Sequence, residues 1–129
     1  MIDKKELGMR GEDLATEFLE KENYEILDRN YRCAFGEVDI IGYKNGEIIF
    51  VEVKTRTQNV FGMPAEAVNA VKRRHLYKVA ESYLYKNNLF DLPISFDVIE
   101  VFILEDDFRI AHIKNAIIEN PRFTYGKWF

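Results

Sequence analysis

The sequence predicts one α/β (α+β) domain, a mixed β-sheet flanked by helices in the order α-β-β-β-α-β-β. Three observations lead to it. Asn45-Gly46 separates two alternating apolar runs, the strongest short signal for a β-hairpin. Apolar residues recur at helical spacing over residues 3–22 and again from about residue 64 to residue 87. After Pro93 comes "SFDVIEVFIL", a β-branched and aromatic run suited to a buried strand.

Taken in order, residues 3–22 form an amphipathic helix with Leu7, Leu14, Ala15, Phe18 and Leu19 on one face. Asp13, Glu17 and Glu20 point away from that face, whereas Glu12 falls at its border. A border carboxylate ordinarily reaches out to water, and Glu12 is kept as a candidate. Residues 24–32 are the first strand, ending near the turn-like Asp28-Arg29-Asn30, and residues 37–43 and 47–54 form the hairpin. A loop with Gly62 follows, and Pro64 suits the first turn of the second helix. That helix turns Val68, Val71, Leu76, Val79, Ala80 and Tyr83 inward. Glu105-Asp106-Asp107 is a turn, and "FRIAHIKNAI" a last strand. A single domain over residues 1–129 is expected, irregular from about residue 119.

Composition narrows the function classes. The chain has 129 residues, 47% of them hydrophobic and 31% charged, enough for a sizeable core. The opening residues are charged from Asp3 and lack the apolar run of a secretory signal, and no stretch approaches the roughly 18 apolar residues of a membrane span. A lone cysteine, Cys33, excludes an internal disulfide and fits a reducing compartment. Cytosol is the expected location. The net charge of −4 is uneven, because residues 54–78 hold Lys54, Arg56, Lys72, Arg73, Arg74 and Lys78 against Glu66 alone. Such a basic segment is either a solvated helix face or an electrostatic footprint for a polyanion.

The hairpin "GEVDIIGYKNGEIIFVEVKTR" holds the candidate chemistry. A two-residue turn at Asn45-Gly46 pairs Lys44 with Glu47, which places Asp39 opposite Glu52 and Glu37 opposite Lys54. Alternation puts Asp39 and Ile41 on one face with Phe50, Glu52 and Lys54, and Val38, Ile40, Ile49, Val51 and Val53 on the other. A three-residue loop would set Asp39 against Val51 and is rejected. Two carboxylates about 5 Å apart repel by about 3 kcal/mol at an effective dielectric near 20. Lys54 relieves part of this, and a divalent cation would relieve more. From the hairpin alone a second account stands, in which these are exposed strand-face charges.

Asp39 followed across the hairpin by Glu52-Val53-Lys54 resembles the PD-(D/E)xK nuclease signature. "GEVDII", "FVEVKTR", "RNYR" and "AVNAVKRRHLYKVA" further resemble the UPF0102 (YraN-like) family, which is distantly similar to archaeal Holliday junction resolvases. The resemblance covers roughly residues 8–101. It departs at Ser95, where the family often has an arginine, and at Val38, where the signature's proline would stand.

The resemblance implies a restriction-endonuclease-like fold and a metal-dependent endonuclease hydrolysing DNA phosphodiester bonds, including branched or junction DNA. By analogy with the resolvases, it also implies a homodimer. Asp39 and Glu52, with the Val53 carbonyl, would hold Mg2+ or Mn2+, and Glu12 would act through water. Lys54 would orient or deprotonate the attacking water or stabilise the transition state. Glu37 would hold the Lys54 ammonium or support the site from behind, and Arg56 would contact a phosphate. A non-catalytic nucleic-acid-binding accessory protein is the alternative.

On the second helix, Lys72 interrupts the apolar stripe, so it either reaches out to water or meets the acidic cluster. Arg73 and Arg74 suit phosphate contact or solvation equally, and His75 is expected to pack. Most aromatic residues are expected in the core, with Tyr24, Tyr31 and Phe35 as exceptions that could stack on bases.

Overall fold

A computed structural model describes residues 3–57 and 70–116, with the side chains of the second helix described from His75 onward. The elements follow the expected order: α1 (Lys4–Lys21), β1 (Glu25–Cys33), β2 (Gly36–Lys44), β3 (Glu47–Arg56), α2 (Ala70–Lys86), β4 (Ile94–Ile103) and β5 (Phe108–Ile113). The sheet is mixed, with spatial order β1-β2-β3-β4-β5. All neighbours are antiparallel except β3 and β4, which run parallel. A parallel pair needs a crossover, and α2 lies in it. The loop with Gly62 and Pro64, the inward positions Val68 and Val71, and the tail lie outside the described residues.

The elements start and stop for local reasons. Asp3 caps α1, its carboxylate accepting the Glu6 amide at 2.8 Å. Asn45 and Gly46 both take positive φ, 51° and 82°, as a type I′ turn requires. The hairpin register is the expected one, from Lys44↔Glu47 to Ile40↔Val51.

Each face of the sheet carries its own core. Ala15 and Leu19 of α1 pack with Ile40, Ile49, Val51, Ile99 and Val101. On the opposite face Tyr77, Val79, Ala80, Tyr83 and Leu84 of α2 pack with Tyr31, Val38, Ile41, Ile48, Phe50 and Phe96. Aromatic edges tie this second core together, with Tyr31 and Phe50 both meeting the Tyr83 ring.

The alternation expected for β2 breaks. Ile40 belongs to the α1-side core, yet Val38, two residues earlier, packs on the α2 side. The cause sits in the neighbouring strand. Asn30 adopts a left-handed φ of 54° between the pairs Arg29↔Ile40 and Tyr31↔Val38, at the level of Asp39 where the strands swivel, with the register itself unshifted. The expectation that Val38 shares a face with Ile40 is therefore corrected.

Candidate active site

The swivel and the helix above it build the site. Gly11 of α1 is buried, and a Cβ there would overlap the Thr55 hydroxyl, so the helix can lie directly on β3. This close approach brings the next residue, Glu12, over the end of the hairpin. Because β1 turns at Asn30, Arg29 and Asn30 both reach α1. One oxygen of Glu12, Oε1, accepts from Arg29 Nε at 3.2 Å, Arg29 Nη2 at 3.0 Å and Asn30 Nδ2 at 2.9 Å. Arg29 also donates to Asp13 at 2.8 Å. These partners, Asp13 foremost, hold the Arg29 proton more firmly than usual against the opposing effect of partial burial.

Beyond Ile40↔Val51 the hairpin ladder ends, and Asp39 takes over. Its Oδ2 accepts the Val53 amide at 2.7 Å, a side chain standing in for a strand carbonyl. Burial is the main reason that the Asp39 carboxyl is pushed up to about 6; the Val53 hydrogen bond opposes the shift, while Glu12, Glu52 and Glu37 add to it. Glu52 is bridged by Lys54 at 3.3 Å, and both are partly buried.

Asp39 lies where two clefts meet. The larger, about 780 Å³, is on the α1 side and is lined by Glu12, Arg29, Asn30, Val53, Thr55 and Arg56 among others. The smaller, about 270 Å³, is on the α2 side, with Glu52, Phe35 and His75 in its walls.

A family model described as "Uncharacterised protein family UPF0102" matches residues 11–101. The chain belongs to the UPF0102 family. It is 47% identical over 117 residues to a UPF0102 protein of Caldicellulosiruptor saccharolyticus, covering 89% of this chain and 99% of that one. It is 49% identical over 115 residues to UPF0102 protein CD630_12710 of Clostridioides difficile, with the same coverage. Among solved structures it is similar to the SfsA of Pyrococcus furiosus in complex with Ca2+, at 14% identity and a TM-score of 0.42, over 92% of this chain and 67% of that one.

In the UPF0102 chain Glu12, Asp39 and Val53 line the larger cleft, Asp39 and Glu52 line the smaller, and Lys54 joins them through its ion pair with Glu52. Two expected partnerships differ. Glu37 does not meet Lys54; it bonds Arg32 of β1 at 3.0 Å, because the β2–β3 ladder has already ended. Arg56 does line the larger cleft, but its Nε is bound to the buried Glu100 at 2.9 Å. The side chains of Lys72, Arg73 and Arg74 lie outside the described residues. His75 is exposed rather than packed. Of the aromatic exceptions, Tyr31 is buried, Tyr24 lies against His112 and under Lys44, and Phe35 stands open.

Among the described residues no group of three or more His, Cys, Asp or Glu converges as a metal cage. The available donors are the Asp39 and Glu52 carboxylates and the Val53 carbonyl. Such an all-oxygen set with few protein ligands suits Mg2+, which keeps several of its waters.

Sequence reasoning missed Arg29, Asn30 and Glu100. A charged residue inside the apolar run "DVIEVFI" was the available signal for Glu100, and an asparagine in a strand-like stretch was the signal for Asn30. Ser95 and Asp97 turn out to be structural: buried on β4, they bond each other at 2.5 Å, and Asp97 meets His112 at 2.8 Å.

Proposed function

We propose that this UPF0102 chain is a metal-dependent endonuclease that hydrolyses DNA phosphodiester bonds, junction or branched DNA included, at the centre formed by Glu12, Asp39, Glu52 and Lys54. The observation that carries the reading is the open hairpin end, where the Asp39 carboxylate replaces a ladder bond and stands between two clefts. A folded sheet has no need of a half-buried carboxyl shifted to about 6 beside other carboxylates.

Asp39 and Glu52, with the Val53 carbonyl, would hold Mg2+ or Mn2+, which when bound supplies positive charge to the phosphate and acidifies the attacking water. Lys54, tethered to Glu52, orients that water and stabilises the negative charge that develops on phosphorus-bound oxygens. Glu12, fixed through Oε1 by Arg29 and Asn30, polarises water from the α1 side. Arg56 keeps guanidinium N–H groups beyond the one given to Glu100 and offers them to a neighbouring phosphate. A water O–P bond forms, the ester P–O bond breaks, and the departing oxygen takes up a proton.

A second reading has its own support. Glu12, Glu52 and Glu100 each face an internal cation, Arg29, Lys54 and Arg56 respectively. That balance suits a non-catalytic DNA-binding accessory protein. Thermal unfolding with millimolar Mn2+, beside cleavage of labelled linear and branched DNA, separates the two. The endonuclease reading expects stabilisation and cleavage, both lost in Asp39→Ala; DNA binding with neither effect would replace it by the accessory role.

A further inference from the structure

We propose that the smaller cleft receives an unpaired nucleobase, so that the preferred DNA substrate has a single-stranded nucleotide beside the bond to be cut. This rests on the endonuclease reading and adds the substrate class to it.

The two clefts that meet at Asp39 differ in chemistry. The larger is lined by Lys4, Lys5, Arg29 and Arg56, groups that suit phosphate oxygens, beside Asp39 and the carboxylates of Glu12 and Asp13, which Arg29 holds. The smaller is walled by Val38, Leu76, Val79 and the Phe35 ring, with Glu37, Glu52 and the shared Asp39 as its acidic members. Those carboxylates repel a phosphate but tolerate a neutral, flat ring. A nucleotide presents these two parts, a charged backbone and a planar base, on either side of one sugar.

Phe35 supplies the stacking surface. It sits in the β1–β2 turn with 48% of its surface exposed, an unfavourable place for a phenyl ring. Lys78 of α2 holds its ammonium 5.3 Å from the ring centroid, which puts a cation at the cleft rim. Gly36, beside the ring in the same wall, takes a φ of 142° that suits glycine. A base reaches such a recess only when it is out of its pair and out of its stack.

The test is equilibrium binding of three fluorescein-labelled DNAs to the full chain in EDTA: an oligothymidylate, a perfect duplex and a duplex with a single-stranded flap. Wild type, Phe35→Ala and Phe35→Tyr are compared, with thermal unfolding as a check on folding. Phe35→Ala should weaken the oligothymidylate and the flap about tenfold or more, leave the duplex unchanged, and be rescued by Phe35→Tyr. A fluorescent purine analogue in the flap should be quenched on binding to wild type and to Phe35→Tyr but not to Phe35→Ala. If wild type binds and, with Mg2+, cuts duplex while Phe35→Ala leaves single-strand binding untouched, the inference falls and the endonuclease reading stands. If wild type neither binds nor cuts any of the three, both fall.

Discussion

The Oδ2 atom of Asp39 lies 2.7 Å from the amide nitrogen of Val53, closing with a side chain a hairpin whose backbone ladder stops at Ile40 and Val51. That substitution opens the strands and leaves a carboxyl half-buried among Glu12, Glu52 and Glu37.

Asp39 should therefore destabilise the apo fold near neutral pH. In the folded chain it keeps its proton up to about 6, against 3.8 as the ordinary value. Between these pH values the folded state binds more protons than the unfolded one, so stability falls as pH rises and stays lower above 6. The loss is about 3 kcal/mol. Asp39→Asn, whose amide oxygen can still accept the Val53 N–H, should regain up to that amount near pH 8 and gain nothing near pH 3. Urea unfolding across the range measures it.

The neighbouring carboxylates should act in order. Glu12→Gln should lower the Asp39 midpoint most, Glu52→Gln less and Glu37→Gln least, following the ranking of their effects. A carboxyl carbon NMR titration reads this, and a reversed order would contradict the placement of Glu12.

Two glycines on α1 should respond oppositely to alanine. Gly8 has open space around the position of a Cβ, so Gly8→Ala should stabilise by about 0.5–1 kcal/mol through helix propensity. At Gly11 the new methyl group meets Thr55, so Gly11→Ala should cost about 2 kcal/mol and displace Glu12 from the cleft. Thermal melts of both variants settle the comparison.

Lys54→Ala should separate chemistry from stability. The Lys54–Glu52 pair is only partly buried, so its loss should cost about 1 kcal/mol or less. If Lys54 assists the attacking water, single-turnover cleavage should fall at least about 100-fold.

The Asp97–His112 contact should be structural. His112→Ala removes a partner from a buried carboxylate and a ring packed against Phe18 and Tyr24, so the fold should lose about 2–3 kcal/mol. A metal-induced stability shift, if present in wild type, should survive the change.

Much of this was legible in the chain because local chemistry specifies it. Asn45-Gly46 allows only a tight mirror turn, and that turn fixes which residues of β2 and β3 face each other from Lys44–Glu47 to Ile40–Val51. The element order follows from the periods of the apolar residues. The break at Asp39 was not legible, because it originates in the backbone of Asn30 on another strand and in the seat of α1 on Thr55. Extending the ladder past its end gave Glu37 to Lys54, whereas the swivel hands Glu37 to Arg32. Asn30 looked like a turn residue because asparagine tolerates the left-handed φ of a turn; here it takes that φ inside a strand.

The parallel seam between β3 and β4 has a consequence for biosynthesis. Hairpins β1–β2 and β2–β3 join near neighbours and can zip within microseconds, but β4 must return across the whole crossover to lie along β3 from Ile48↔Ile94 to Arg56↔Phe102. Lys54 and Arg56 sit on that seam, opposite Glu100 and Phe102. A nascent chain still short of β4 carries Glu12, Asp39 and Glu52 but has no strand to brace Lys54 and no Glu100 to anchor Arg56. The centre is therefore complete only once β4 has paired with β3, after the residues that would perform its chemistry are already in the chain.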